Sequence, residues 1–156
     1  MKLVRFGEKD SEKPGLIDPE GNIRDLSDYC ADFYHHGVSL NSLEKIINKD
    51  YMKLPHVPRS VRLGSCLADA PNFYCIGLNY AKHAQETGDD LPTEPIIFSK
   101  ATSAISGPYD KVIIPKGSKK TDWEVELGVV IGEDCIHVPD EEALEVISGY
   151  CVINDV

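Results

Sequence analysis

The sequence predicts an α+β chain dominated by strands. Three observations carry this reading: an alternating and then wholly apolar stretch over residues 122–132, a hairpin pattern within the first 26 residues, and helical spacing confined to short segments near 41–47, 80–87 and 141–147. Two parts are expected, a small N-terminal α+β module over 1–68 and a second, strand-rich part over 69–156.

Taken in order, residues 2–6 read as a strand. Residues 14–17 and 22–26 flank Asp18-Pro19-Glu20-Gly21, a good turn sequence, so they form a hairpin. A mostly helical stretch follows, in which Asn41-Ser42-Leu43-Glu44-Lys45-Ile46-Ile47 has apolar residues at helical spacing and Ser39 or Asn41 as cap. Leu54-Pro55-His56-Val57-Pro58-Arg59-Ser60 reads as a linker, its two prolines disfavouring helix and sheet pairing. Residues 80–87 have helix-forming composition ended by Gly88. Residues 141–147 read as a helix with Gly149 as its C-cap, and an apolar strand then runs to Asn154-Asp155.

The stretch at 122–132 is the most informative. Side chains alternate along a strand, so Glu124 and Glu126 project from one face, roughly 6.6 Å apart. Alternating acids are ordinarily a wet face, which would continue polar. Here the next same-face positions are Gly128, Val130 and Gly132, and the other face carries Trp123, Val125, Leu127, Val129 and Ile131, so the strand is expected to be buried on both sides beyond Glu126. Two carboxylates at the mouth of a buried sheet repel each other unless a cation neutralises them. Asp155, returned by the last strand, would supply a third oxygen ligand. Three carboxylates suit Mg²⁺, or Mn²⁺ or Ca²⁺.

Composition bounds the partners. Sixteen basic against 26 acidic residues give a net charge of −10, which argues against nucleic acid or an anionic membrane surface. No apolar run approaches bilayer length, and the acid-rich stretch after Phe6 is unlike a targeting segment. The five cysteines, Cys30, Cys66, Cys75, Cys135 and Cys151, show no Cys-x-x-Cys spacing and read as reduced thiols of a cytoplasmic protein. His35, His36, His56 and His137 read as surface residues, and Lys116-Gly117-Ser118-Lys119-Lys120 as a solvated loop.

Several ordered motifs carry a family resemblance. Asp122-Trp123-Glu124-Val125-Glu126-Leu127, Val130-Ile131-Gly132, Gly149-Tyr150 and Asn154-Asp155 are similar to the acidic core of the fumarylacetoacetate hydrolase family. Upstream, Ile76-Gly77-Leu78-Asn79-Tyr80-Ala81-Lys82-His83-Ala84-Gln85-Glu86 resembles its other signature, and Pro95-Ile96-Ile97-Phe98-Ser99-Lys100 with Ser106-Gly107-Pro108 its intervening segment. The resemblance covers roughly residues 70–156. It implies part of a mixed β-roll or distorted barrel, with Glu124, Glu126 and Asp155 holding the metal.

His83 and Glu86 lie three apart on one helical face, where a carboxylate can fix an imidazole tautomer and raise its basicity. A lone His-x-x-Glu is ordinarily an incidental surface pair; the resemblance implies that these two activate water. Lys100 is a candidate substrate contact. The implied reaction is hydrolysis of a C–C bond in a 2,4-dioxo acid, such as an acylpyruvate or a diketo-deoxy sugar acid, through a metal-bound enolate. The alternative is a lyase, isomerase or decarboxylase acting on a related 2-oxo or ureidoglycolate-like acid. Details of 100–105 and 122–132 most resemble bacterial members assigned as ureidoglycolate lyases or diketo-deoxy-sugar-acid hydrolases. A small anionic 2-oxo acid is thus the expected partner, and a homodimer the expected full-length assembly. Family members continue well beyond the Asn-Asp motif, so a chain ending on an apolar strand at Val156 reads as truncated. A catalytic role then belongs to the parent protein, and the contrasting expectation is an inactive fragment that self-associates through its open edge.

Overall fold

The computed structural model describes residues 1–156. The chain packs as two units, one built from Met1–Asp69 with Ser106–Val156 and the other from Ala70–Ile105. This differs from the division expected at residue 68, because side chains of the N-terminal module reach into the segment after 105.

In the first unit, strands β1 (Lys2–Phe6), β2 (Lys13–Ile17) and β3 (Ile23–Asp25) form an antiparallel meander. The β2–β3 turn is held by Asp18, whose carboxylate accepts the Asn22 N–H at 2.7 Å and Arg24 Nε at 2.8 Å. Helix α1 (Leu40–Ile47) is capped by Ser39, which accepts the Ser42 N–H at 3.3 Å; of the two cap candidates, the structure selects this one. The segment read as a linker is instead strand β4 (His56–Val57), paired to β3 through Ile23↔Val57 and Arg24↔His56. Pro55 and Pro58 flank it, which an edge strand two residues long tolerates because it needs ladder donors on one side only. Leu16, Leu26, Phe33, Val38, Ile46 and Leu54 form the core, with Leu26 and Phe33 fully enclosed.

The second unit pairs strand β5 (Tyr74–Gly77) antiparallel with a later strand across helix α2 (Ala81–Thr87). That later strand is β6 (Ile96–Ser99). Gly88 ends α2 in the left-handed conformation, φ 78°, and its N–H reaches the carbonyls of Ala84 and Gln85, the stop signal expected of it.

The first unit is completed by a second antiparallel pair, β7 (Val125–Ile131) and β8 (Ile147–Asn154). Their register runs from Val125↔Asn154 to Val130↔Gly149 and then shifts to Ile131↔Ile147, leaving Ser148 as the extra residue of a bulge. Four expectations are corrected here. Residues 140–146 form a 3₁₀-helix rather than an α-helix, closed by the Ile147 N–H on the Leu144 carbonyl, since pairing of Ile147 with Ile131 begins at once. Gly149 therefore lies inside β8 and caps nothing. The strand also starts at Val125, and it is not buried on both faces. Val130 packs on the N-terminal core from the Glu126/Gly128/Val130 face, whereas Leu127, Val129 and Ile131 of the other row, beyond Glu126, are 60%, 48% and 50% exposed. A two-stranded ribbon resting on a core by one face leaves its other face open.

A run of ion pairs joins the early and late segments of this unit. Arg5 Nε and Nη2 each lie 2.8 Å from an Asp32 oxygen, and Nη2 lies 3.4 Å from Glu12. Glu12 accepts Arg62 Nη1 at 2.7 Å, and Arg62 forks onto Asp110 at 2.8 and 2.6 Å. Arg5 and Asp32 are buried, so removal of one leaves the other uncompensated. Asp32→Ala is expected to lower stability by roughly 3–5 kcal/mol, read as a lower urea midpoint at unchanged slope.

Acid sensitivity follows from two carboxylates. Burial pushes Asp18 up, but the bonds from Asn22 and Arg24 outweigh it and bring it down to about 2. Asp110 is lowered to about 2 chiefly by Arg62, with help from the Gly107 N–H. Because folding lowers both pKa values, their stabilisation is complete above about pH 4, where unfolded carboxylates are also ionised. It is lost as pH falls from there towards 2. Urea midpoints measured across this window are expected to fall steeply, and less steeply in Asp110→Asn.

Candidate metal centre

The β7–β8 register builds an acidic site. Val125↔Asn154 places Glu124 opposite Asp155, and two residues along β7 Glu126 points the same way. The ladder continues one step beyond the strand ends: Asp155 N–H donates to the Glu124 carbonyl at 2.9 Å, and Glu124 N–H donates to Asn154 Oδ1 at 3.0 Å. This reciprocal clip fixes both backbones where the carboxylates leave them. Ligand oxygens of Glu124, Glu126 and Asp155 lie within 4.8 Å of one another, Glu124 exposed and the other two half-buried.

The donor set fits a hard divalent cation. Metal–oxygen distances of roughly 2.0–2.6 Å allow opposed ligands about 4–5 Å apart, and the observed separations fall within that span. Carboxylates crowded this closely repel one another, and a bound cation would relieve the repulsion. The partial exposure leaves room for water or a chelating oxyacid in the remaining positions. Asn154 was not among the expected site residues. Its place in the Asn-Asp pair was visible, but its task, a side chain serving as a ladder acceptor, depends on a register that spacing alone does not give.

The other expected residues belong to the second unit. His83 and Glu86 both project from α2 into solvent, and their side chains are not hydrogen-bonded to each other; Ala84 is the buried residue between them. A pair one helical turn apart remains within reach through rotamer change. Lys100 follows β6, half-buried, with its N–H donating to the Phe73 carbonyl at 3.0 Å. Among the histidines given no catalytic part, His35 has a partner: its Nδ1 lies 3.0 Å from Asp69.

Comparisons with known proteins identify the family. A family model described as fumarylacetoacetate (FAA) hydrolase, C-terminal, matches residues 72–156. A Burkholderia ambifaria protein, provisionally named a hydrolase, is 49% identical over all 156 residues, which cover 55% of its own length. Among solved structures, a fumarylacetoacetate hydrolase from Exiguobacterium antarcticum superposes with a TM-score of 0.80 at 29% identity, over 99% of this chain and 55% of that one. The maleylpyruvate hydrolase of Sphingobium sp. SYK-6, solved with manganese(II) and pyruvate, superposes with a TM-score of 0.79 over 99% of this chain and 58% of that one; at 23% identity it attests the fold alone. The chain thus spans about half the length of the relatives it matches. With more than half of its residues matched by the family model, and the acidic pair and Asn-Asp motif inside that match, the chain belongs to the fumarylacetoacetate hydrolase family.

Proposed function

We propose that this chain carries the metal-binding part of a divalent-metal-dependent hydrolase that cleaves a carbon–carbon bond in a small 2,4-dioxo acid. The convergence of three carboxylates within 4.8 Å on one strand pair is the observation that supports it most. Manganese and pyruvate in the Sphingobium enzyme fit the same reading, since pyruvate is the 2-oxo acid that such a cleavage releases. Glu124, Glu126 and Asp155 would hold the ion, with Mg²⁺ and Mn²⁺ the natural choices for an all-oxygen shell. When bound, it supplies positive charge where the departing 2-oxo fragment develops enolate character.

The chain's own residues account for the remaining steps. Asn154, clipped to the Glu124 backbone, keeps the two strands from sliding and so keeps the carboxylates convergent. His83, oriented by Glu86 once their side chains meet, takes a proton from water. The water oxygen then attacks the carbonyl distal to the substrate carboxylate, and the bond between that carbon and the methylene breaks. The electron pair passes to the 2-oxo fragment, which is protonated at carbon, so the products are one carboxylic acid and one 2-oxo acid. Lys100 offers a cation for the substrate carboxylate.

Calorimetric titration with Mn²⁺ or Mg²⁺ tests the site directly. Glu124→Gln or Glu126→Gln is expected to weaken binding by orders of magnitude, because each removes one charge from a three-carboxylate shell. Unchanged affinity would remove the metal centre. In the full-length enzyme, His83→Ala should leave Mn²⁺ affinity nearly intact and lower turnover of an acylpyruvate by roughly 10²–10⁴-fold. Near-normal turnover would assign the base to another residue.

A further inference from the structure

We propose that His35 and His36 form a second metal site, one for a borderline divalent transition ion of the Zn²⁺ type, with Asp69 as the carboxylate that orients His35. The three residues lie within the first packed unit and share no residue with the carboxylate centre or the water-activating pair.

Their placement is fixed by direct contacts. The two imidazole rings lie with centroids 3.8 Å apart and are tilted by 50° rather than stacked flat. Asp69 holds His35 twice, Oδ1 accepting the backbone N–H at 2.9 Å and Oδ2 lying 3.0 Å from Nδ1. The His36 carbonyl accepts Ser42 Oγ at 3.1 Å, so this histidine is held through its backbone and its ring is left to turn its nitrogens toward the same ion.

The backbone beneath is equally constrained. Residues His35–Val38 form a 3₁₀ turn, closed by the N–H groups of Gly37 and Val38 on the Tyr34 carbonyl at 2.7 and 3.1 Å, and Val38 is buried at its end. A Cβ at Gly37 would run into the Asp32 carbonyl, so the glycine lets the turn close against a residue that the Arg5 fork already anchors. Alongside, Ala68 N–H donates to the Phe33 carbonyl at 2.9 Å, which brings Asp69 level with His35.

This geometry suits a metal-ligating imidazole. Burial pushes the Asp69 carboxyl up, but the bonds from His35 outweigh it and bring it below its ordinary value, so the group is ionised and only accepts. Nδ1 of His35 therefore carries the proton, and Nε2, on the far side of the ring, presents its lone pair. A carboxylate on the outer nitrogen is the usual support of a histidine ligand, fixing its tautomer and raising its basicity. Two nitrogens bound to one ion at roughly 2.0–2.1 Å stand roughly 3 Å apart, a separation that rings in contact reach by side-chain rotation. The His35 and Asp69 side chains are 44% and 40% exposed, which leaves the remaining positions to water and keeps the ion exchangeable.

Imidazole nitrogen favours Zn²⁺, Cu²⁺ or Ni²⁺, whereas the three carboxylates of the first centre favour Mg²⁺ or Mn²⁺, so the chain sorts ions between its two sites by ligand softness. An ion on Nε2 also makes Nδ1–H a stronger donor. It thereby tightens the bond to Asp69, the residue at which the chain leaves this unit.

The test is titration of the ¹⁵N-labelled native protein with Zn²⁺, followed by NMR of the ring nitrogens of its five histidines. Before metal is added, His35 is expected in the Nδ1–H tautomer. On addition, the His35 and His36 signals should shift together along one binding curve. In His36→Gln the His35 signal should stay unmoved over the Zn²⁺ concentrations that saturate the native pair, because a chelate has become a single ligand. Asp69→Asn should keep both ligands and lose roughly 10–100-fold in affinity, the usual cost of removing an orienting partner. The inference is overturned if either ring is unmoved in millimolar Zn²⁺, if His35 responds in His36→Gln as it does in the native protein, or if Asp69→Asn binds as tightly as the native chain.

Discussion

The first unit depends on the buried fork between Arg5 and Asp32. A guanidinium taken out of water costs several kcal/mol unless its donors are met, and here Asp32, Glu12 and the Leu67 carbonyl meet them. Much of the gain from such pairing is offset by desolvation, so its main effect is on position rather than on net stability. Through Glu12 the pairing passes to Arg62 and on to Asp110, which fixes where the chain re-enters this unit after residue 105. Everything downstream, including β7 and β8, starts from that point.

Given the entry point, strand register decides the chemistry. A slip of one residue between β7 and β8 would turn Asp155 to the opposite face, leaving two carboxylates on one side and one on the other. Three features oppose it: the backbone clip among Glu124, Asn154 and Asp155, the fit of Cys151 against Gly128, and the anchoring of Val130 in the N-terminal core. The irregularity at Ser148 sits at the far end of the ribbon. Mismatch between the strands is absorbed there, away from the acids.

Much of this was legible in the sequence, and the parts that were not share one cause. Local signals read correctly: the Asp18–Gly21 turn, a helix cap at Ser39 or Asn41, Gly88 as a helix stop and the period-two placing of Glu124 and Glu126 all act within a few residues. Spacing also allowed Asp155 to return beside them. What failed required knowledge of what lies across a strand. His56-Val57, with a proline on either side, became an edge strand because β3 offered it a partner. Gly149 looked like a helix cap but was drawn into β8 by pairing with Val130. The role of Asn154, whose side chain bonds across to Glu124, is likewise a product of long-range contact.

The same limit explains the misreading of β7 as buried on both faces. An apolar residue states what a position can bury and not what covers it. On the ribbon, Leu127 lies opposite Val152 and Val129 opposite Tyr150, and with Trp123 and Val125 they form a contiguous exposed apolar row. The opposite face holds the carboxylates, Cys151 and the anchor Val130. Carboxylate repulsion would tend to splay the ribbon ends apart, and the anchored face resists this because Val130 and the Arg5-centred ion pairs are fixed to a packed core. A rigid support on one side is therefore what allows three like charges to be held together at the other end of the same face.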